Sequence, residues 1–573
     1  MLFAPLPWLP GIVNQQSLRW GHSGMALLGI LWLCLRGCPP AQAQIRPDNT
    51  LPDASTVRTV DRLHEIMGGT RRGSNLFHSF EEFSLPTNHT AFFNNALEIE
   101  RIITRVTGGN VSNLDGLIRA NGAADLFLLN PNGVVIGPNA RLDIGGSFVV
   151  STGDRLEFAD GTSFSASNPQ ENLLLTVSVP IGLQYGADPG NIVVQGTGHQ
   201  LTLNPDTFAI DRTNRPAGLQ VQPGETLALL GGNVTLTGAN LTAPGGRIEL
   251  GSVGAGERLA LTSGPDGWLS DYAGVENFQE IHLRQAASID SSGDGAGAIH
   301  LQGRRIDIEQ GSTLLANTTG SGVGANLTVD GTARVTVSGF SSTETEVSEV
   351  LPQFPSSIFA GLEAGATGQG GSLIVQTPRL RVIDGGLIST NNLGLGQAGE
   401  LRIIAAESIE LQGGIPALEL PGGLLADVYS GGDGGNSTIT TRQLFVLGGA
   451  EISASTLGSG DAGNLDIIAE QVEVLAGAPF LGASTILASV QPNATGDAGN
   501  LTIETDSLAI SGGAFISSVT FGSGDGGTLQ VAARSIDLEG RSPAGNPSGL
   551  FTQTEDSGTG GDLRITTQTL LVS

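Results

Sequence analysis

The chain has 573 residues, of which 85 are glycine and 5% are aromatic. That glycine share is about twice the usual one and suits short strands and tight turns better than helices. Acidic residues outnumber basic ones 55 to 27, every basic residue is arginine, and the formal net charge is −28, which excludes nucleic acid and anionic membrane surfaces as partners.

In chain order, the first element is a leader. Arg19 and His22 precede an apolar core, Met25 to Leu35, that is too short to anchor in a bilayer. Ala41-Gln42-Ala43 is a small-x-small cleavage site. Residues 1–43 are read as a secretory signal peptide cut after Ala43, with Met25 as an alternative start. Both cysteines, Cys34 and Cys38, fall inside it, and Arg36 is wrong for a lipoprotein site at Cys38. The exported chain would carry no cysteine and would depend on its hydrogen-bonded architecture alone. No later apolar stretch reaches membrane-spanning length, so the expectation is a soluble exported protein.

Residues 45 to about 250 show short alternating strands without a fixed rhythm. In "LFLLNPNGVVIGPNARLDIGGSFVVST" (126–152) the apolar run stops at Asn130-Pro131-Asn132-Gly133 and then resumes. Proline fixes one turn position and Asn-Gly supplies left-handed backbone, so a tight turn is expected there. Another Asn-rich turn is expected at Asn110-Val111-Ser112-Asn113, and His78 in "NLFHSF" is expected to pack or to hydrogen-bond at a cap.

"GSNLFHSFEEFSLP" (73–86) and "ITRVTGGNVSNLDGLIRANGAADLFLLNPNGVVIGPNARLDIGGSFVVST" (103–152) resemble the haemagglutination-activity, or two-partner-secretion, domain. That domain opens filamentous haemagglutinin-like exoproteins of Gram-negative bacteria. "LLLTVSVPIGLQYG" and "GLQVQPGETLALLGGNVTLTGANLTAPGGRIELGSVG" resemble its continuation in cyanobacterial-type members. The resemblance assigns residues 44–290 to such a domain and implies a right-handed parallel β-helix capped at its N-terminus. It implies passage through the periplasm unfolded, and recognition by an Omp85-type outer-membrane β-barrel transporter with POTRA domains. The residues carried over as partner-recognition or turn residues are Asn110, Asn113, Asn130, Pro131, Asn132 and Gly133. The first turn departs from the Asn-Pro pair often found in the family.

From about residue 290 the sequence repeats. Phrases such as "AGNLDIIA" and "AGNLTIET" follow marker glycines at 371, 399, 435, 463, 499, 527 and 561, with gaps of 28, 36, 28, 36, 28 and 34. The repeat is a pair of units totalling 64 residues. Each unit has three short alternating strands, in one case Leu501 and Ile503, then Leu508 and Ile510, then Ala514 and Ile516. Such a unit cannot bury its apolar face alone, and stacking unit on unit buries it. The expected fold is therefore an all-β, parallel β-helix (solenoid) with three short strands per coil, residues 291–573 forming a repeat stalk. The longer coils carry extra residues at 413–423, 476–484 and 539–549, expected as projecting loops, and 341–370 is expected as a larger, strandless side loop.

Gly-Asp-small-Gly turns place Asp294, Asp433, Asp461, Asp497 and Asp525 at equivalent positions. Asp433, Asp461, Asp497 and Asp525 are calcium candidates, but aspartate is also a standard turn residue, and one carboxylate per coil favours the turn role. No metal or cofactor is expected. A β-helix enzyme acting on polysaccharide, pectin-lyase-like, is the competing class. Its paired aspartates, His-Gly and Arg-x-Lys signatures are missing, lysine is absent, and the histidines are scattered. The chain is read as a secreted, non-enzymatic adhesin acting on a glycan or protein receptor at the cell surface or after release. It stops at "RITTQTLLVS" within a coil, where a truncated chain or an associating end is expected.

Overall fold

Alternation decides the fold, because a strand with one aliphatic face must lay that face on something. The computed structural model describes residues 44–170, 174–204, 206–264, 267–344, 350–418, 420–476 and 482–573. The leader, with its cleavage site and both cysteines, lies outside the described residues, as do residues 477–481 of one expected loop. In the coil that starts at Gly499, Leu501, Ile503, Leu508, Ile510, Ala514 and Ile516 are all buried in one continuous core. Each leucine or isoleucine among them contributes about 2 kcal/mol by leaving water. The next coil lies directly on this one, Leu501 pairing with Leu529 and Leu508 with Ile536 in a parallel ladder. The ladder runs Leu373, Leu401, Ser437, Leu465, Leu501, Leu529, Leu563. One coil is completed per marker glycine, and the chain is a parallel β-helix.

Two of the three strands expected in each coil are joined. Leu465–Leu475 is a single strand of 11 residues. Leu465, Ile467 and Ala469 are buried in its first arm, Val472 and Val474 in its second. Between them Glu470 and Gln471 are not buried, which shifts the alternation by one and turns the strand through a corner while its ladder continues. The remaining strand has three residues (Glu451–Ser453, Phe515–Ser517) and belongs to a separate sheet. Single-residue bridges from Asn392 through Val428, Thr456 and Val490 to Thr520 form the third side.

Contact, not turn geometry, explains the marker glycines. A Cβ on Gly463 would stand 2.0 Å from the carbonyl oxygen of Gly435, and one on Gly499 would stand 2.0 Å from that of Gly463. Each coil's carbonyl occupies the space that a side chain on the next would need.

The N-terminal half uses the same ladders. Asn75–Ser84, Arg101–Val106, Asp125–Leu129 and Phe148–Ser151 stack in parallel and continue through Thr226–Gly231 and Arg247–Ser252 to Ala298–Glu309. The first coil is closed off by antiparallel strands: Gln44–Pro47 and Thr70–Arg72 pair with Asn75–Ser84, and Ser55–Val60 pairs with Leu63–Gly68. These strands form the N-terminal cap. Five antiparallel strands between 155 and 271 form a side sheet over the outer face of the first ladder. This explains why "LFLL" is apolar on both faces. Leu126 and Leu128 belong to the helix core, while Phe127 and Leu129 lie under the side sheet with Leu156, Leu183 and Trp268.

Two expected loops fold back onto the rod. Residues Gly414–Ile415 and Leu420–Pro421 form a hairpin whose Ile415 and Leu420 are buried against Leu387 and Leu425 on the outer face of the short-strand sheet. Within 341–370, Phe340–Glu344 pairs with Val350–Pro355, and Ser357–Phe359 enters the short-strand ladder. Both segments have apolar residues for which an exposed loop has no use, and that was the missed signal. The 539–549 segment does project: Arg541 bridges Pro547, and Ser542 to Ser548 is largely exposed.

Candidate functional site

The Asn130–Gly133 turn lies where the first ladder passes into the second, whose strands there are Ser112–Leu114, Val134–Ile136 and Ile192–Gln195. The Gly133 amide donates to the Asn130 carbonyl at 3.1 Å and closes a four-residue turn. Gly133 has φ = 118°, a conformation that a side chain would resist. Asn130 is fully buried, and its Oδ1 accepts from the Asn132 amide at 3.0 Å, capping the turn from within. Its Nδ2 donates to the Asn110 carbonyl at 3.0 Å and to Ser112 Oγ at 2.9 Å in the coil below.

Contacts continue on both sides. Asn132 Nδ2 donates to the Gly108 carbonyl at 2.8 Å, and Asn110 Nδ2 to Glu82 Oε1 at 2.7 Å. The Asn113 amide donates to Ser84 Oγ at 3.0 Å. In the coil above, the Gly190 amide donates to the Pro131 carbonyl at 2.9 Å, and the Val134 amide to the Asn191 carbonyl at 3.0 Å. Gly190 packs so closely that a Cβ there would lie 2.4 Å from the Gly133 nitrogen. All six carried-over residues therefore meet on one corner of the rod, but the turn expected over 110–113 ends before Ser112, because Ser112 and Asn113 already pair in the strand Ser112–Leu114. Asn130 and Gly133 are buried, whereas Asn110, Asn113 and Asn132 are exposed.

The same corner holds two asparagines that sequence reasoning missed. Asn191 Oδ1 accepts from the Asn233 amide at 3.1 Å, and Asn233 Oδ1 accepts from the Glu280 amide at 3.0 Å. Their signal was an asparagine directly before a Val/Ile strand, as in "NIVVQ" and "NVTL". Together they make an amide ladder in which side chains extend the backbone ladder past the strand ends.

Removing Asn130 tests how much the turn depends on this. Asn130→Leu leaves the Asn132 amide and Ser112 Oγ without partners, and the expected loss is about 2–3 kcal/mol of unfolding free energy. Asn132→Ala, at an exposed position, should cost under about 1 kcal/mol in the same denaturant titration.

A second anchoring group holds the cap. Arg105 is 2% exposed, and its guanidinium donates to Ser79 Oγ (2.8 Å), the Ser165 carbonyl (2.6 Å) and Thr50 Oγ1 (2.8 Å). It also lies 4.2 Å from the Phe164 ring centroid. Burial pushes it down to about 10, while the Asp48 charge pulls it up. Burial pushes Asp48 up, but hydrogen bonds from Thr107, Thr50 and Ser79 outweigh this and hold it below the ordinary carboxylate range. His78 is buried too, with Nδ1 3.0 Å from Ser55 Oγ, and burial pushes it down to about 3.

Further along the rod, His300 lies between Glu249 (Nδ1 to Oε2, 3.2 Å) and Asp330 (Nε2 to Oδ2, 3.3 Å). Burial pushes it down, but the hydrogen bonds it donates to Asp330 and Glu249, together with the negative charge of both carboxylates, prevail and hold it up at about 9. A histidine raised above its unfolded value stabilises fully below about pH 6.5. That stability is lost as pH rises through 9. Thermal unfolding scans between these values should show a falling midpoint, and His300→Gln should flatten the fall.

In the repeat region, the turn aspartates form their own ladder. Asp433 Oδ1 accepts from the Asp461 amide (3.2 Å), Asp461 from Asp497 (2.9 Å), Asp497 from Asp525 (2.8 Å), and Asp525 from Thr559 (2.7 Å). One oxygen of each carboxylate thus caps the next coil, which is turn chemistry. Among the described residues no three His, Cys, Asp or Glu side chains converge in a metal-binding arrangement. No helix among them is long and apolar enough to cross a membrane.

Comparison with known proteins bears on the first half of the chain. Residues 43–301 match the family described as TPS secretion domain. This stretch is a two-partner-secretion domain. The matched stretch takes in the cap, the side sheet and the asparagine corner, and its last residues fall in the strand that carries His300. The chain carrying it is a two-partner-secretion cargo, exported across the Gram-negative outer membrane. Among solved structures, the crystal structure of the HMW1 secretion domain from Haemophilus influenzae aligns over 92% of this chain and 100% of that one, at 17% identity and a TM-score of 0.39. No curated protein matches the chain.

Proposed function

We propose that the secretion domain is recognised by an Omp85-type outer-membrane β-barrel transporter with POTRA domains, and that the exported rod acts as an adhesin. The domain match over residues 43–301 supports the transporter half of this reading, and the adhesin half rests on the long repetitive rod that follows it. The physical features agree with it. A signal peptide at 1–43 would deliver the chain to the periplasm, and the mature chain would have no disulfide to form there. Stacked coils bury apolar surface one coil at a time, so folding on emergence supplies a pull without any energy source outside the membrane. The exposed amides of Asn110, Asn113 and Asn132 are the proposed contact points for the transporter, with Asn130, Pro131 and Gly133 shaping the corner that presents them. Residues 291–573 form the stalk, displayed on the surface or released.

Disrupting the gene for the outer-membrane barrel should leave the chain in the periplasm, where proteases degrade it. Unchanged delivery to the cell exterior would count against the transporter assignment. The adhesin role is tested by incubating the purified chain with a glycan panel and following both binding and chain length of the glycans. Binding without cleavage is the expected result, and bond cleavage would sink it.

A further inference from the structure

A cavity of about 180 Å³ opens on the short-strand side of the coils, between residues 317–393, beyond the secretion domain match, and residues 208–210, within it. Its cause is a gap in a ladder of outward side chains on the third side of the coils. Successive coils place Asn317, Gly361, Asn391, Asp427 and Ser455 at equivalent positions. Each side chain accepts from the next coil's amide: Asn317 Oδ1 from Gly361 (3.1 Å), Asn391 Oδ1 from Asp427 (2.9 Å), and Asp427 Oδ1 from Ser455 (2.8 Å). Gly361 supplies nothing, and a Cβ there would lie 2.3 Å from the Asn391 carbonyl oxygen. The resulting slot is walled by Phe359 and Leu393, and covered on one side by Phe208 and Ile210 from the excursion after residue 199.

The chemistry of this slot is specific. Asn391 is 4% exposed, and its Nδ2 has no hydrogen-bond partner among the described residues. A buried amide donor without a partner costs about 1–3 kcal/mol, so it marks a place where an acceptor belongs. On the opposite wall Asn317 Nδ2 donates to Glu363 Oε1 at 3.1 Å. Glu363 is itself paired with Arg212 at 2.5 Å, so no uncompensated charge faces the slot. A charged ligand would have to be desolvated without a counter-charge, which is unfavourable. The volume is about six times the ~30 Å³ of one water and below the ~300–1,000 Å³ typical of drug-sized ligands. A small neutral ligand with one apolar face and several hydroxyl acceptors fits phenylalanine walls and amide ends together.

We infer that the slot at Gly361, between Asn317 and Asn391 and beneath Phe208, is a subsite for one neutral hexopyranose unit of a glycan. This deepens the adhesin reading and rests on it for its biological role, though not for its chemistry. The unit's C–H face lies on the phenylalanines and its hydroxyls reach Asn391 Nδ2 and the Glu363–Asn317 pair. The remaining units of the glycan extend over the rim, where Ala209 and Ala364 are exposed.

The test is saturation-transfer NMR on the full secreted chain with free glucose, galactose, mannose and N-acetylglucosamine. At least one should receive saturation, and Ala209→Trp and Ala364→Trp, each plugging the rim from a different segment, should abolish it. Both variants should keep the wild-type unfolding midpoint, since neither alanine is in the core. Absence of transfer to all four sugars would overturn the inference, as would transfer unchanged in both variants. A glycan or cell-binding assay run in parallel separates the two readings. Adhesion that survives plugging refutes the slot alone, while sugar binding without any adhesion refutes the adhesin alone.

Discussion

Replacing Gly499 with valine should part the stack between two coils. A Cβ at this position would stand 2.0 Å from the Gly463 carbonyl oxygen and 2.5 Å from its carbon, and both are backbone atoms two residues before the ladder that opens at Leu465 and Leu501. No side-chain rotation relieves such a contact, so the coils must separate locally and lose hydrogen bonds on both sides. The expected cost is about 3 kcal/mol or more, at the upper end for an overpacked site. Hydrogen exchange should speed up in Leu465–Leu475 and Leu501–Ser511 and leave the N-terminal cap unaffected, because each coil contacts only its neighbours. Ile468→Thr is the control. Ile468 lies on the outer face at 47% exposure, and its change should be within about 0.5 kcal/mol. Equal effects from the two substitutions would show that the glycine ladder is not a packing constraint.

Replacing Arg105 with leucine should loosen the cap. The guanidinium joins strand Asn75–Ser84 through Ser79, the cap segment through Thr50, and the side sheet through the Ser165 carbonyl. Leucine fills part of the volume but leaves the Ser165 carbonyl without its guanidinium donor, takes one donor each from Ser79 and Thr50, and removes the cation whose charge interacts with half-buried Asp48. Breaking a buried ionic group out of its network costs about 3–5 kcal/mol. Limited proteolysis should then cut between residues 44 and 72 before it cuts the stalk. Arg105→Lys retains the charge but not the fork of donors, and should recover only part of the loss. Wild-type resistance in Arg105→Leu would mean that the cap is held by its apolar contacts alone.

The repeats were the most legible part of the fold. Marker glycines at alternating gaps of 28 and 36 residues gave the coil register, because a residue that touches its own counterpart on the next coil must recur once per coil. Less legible was the union of two strands into one. The alternation in "LDIIAEQVEVL" changes phase at Glu470-Gln471, and a phase change reads as a break although the ladder continues through it. Side-chain burial on both faces of "LFLL" was visible, but the sheet that causes it comes from segments between 155 and 271, and its pairings are non-local. The proline and glycine content of 413–423 predicts a projecting loop, whereas Ile415 and Leu420 fold it back as a hairpin onto the rod.

At the candidate site, the turn chemistry of Asn130-Pro131-Asn132-Gly133 was readable from four residues. Its neighbours were not. Asn191 and Asn233 join the corner from coils whose intervening lengths are irregular, so no spacing announces them. Arg105 was missed for another reason. A lone arginine in an alternating strand reads as an outward, solvated residue, and only the side sheet makes its position interior. The slot at Gly361 is a residue that lacks a side chain in a ladder of polar ones, and its absence becomes visible only when the coils are stacked.

An N-terminal secretion domain should be what takes the chain across the outer membrane. Deleting residues 45–250 while keeping residues 1–44, in an epitope-tagged full-length background, tests it most directly. Fractionation should then find the remaining rod in the periplasm and none outside, while the intact chain is at the surface or in the medium. Delivery of the deleted chain to the outside at the level of the intact one would contradict the account.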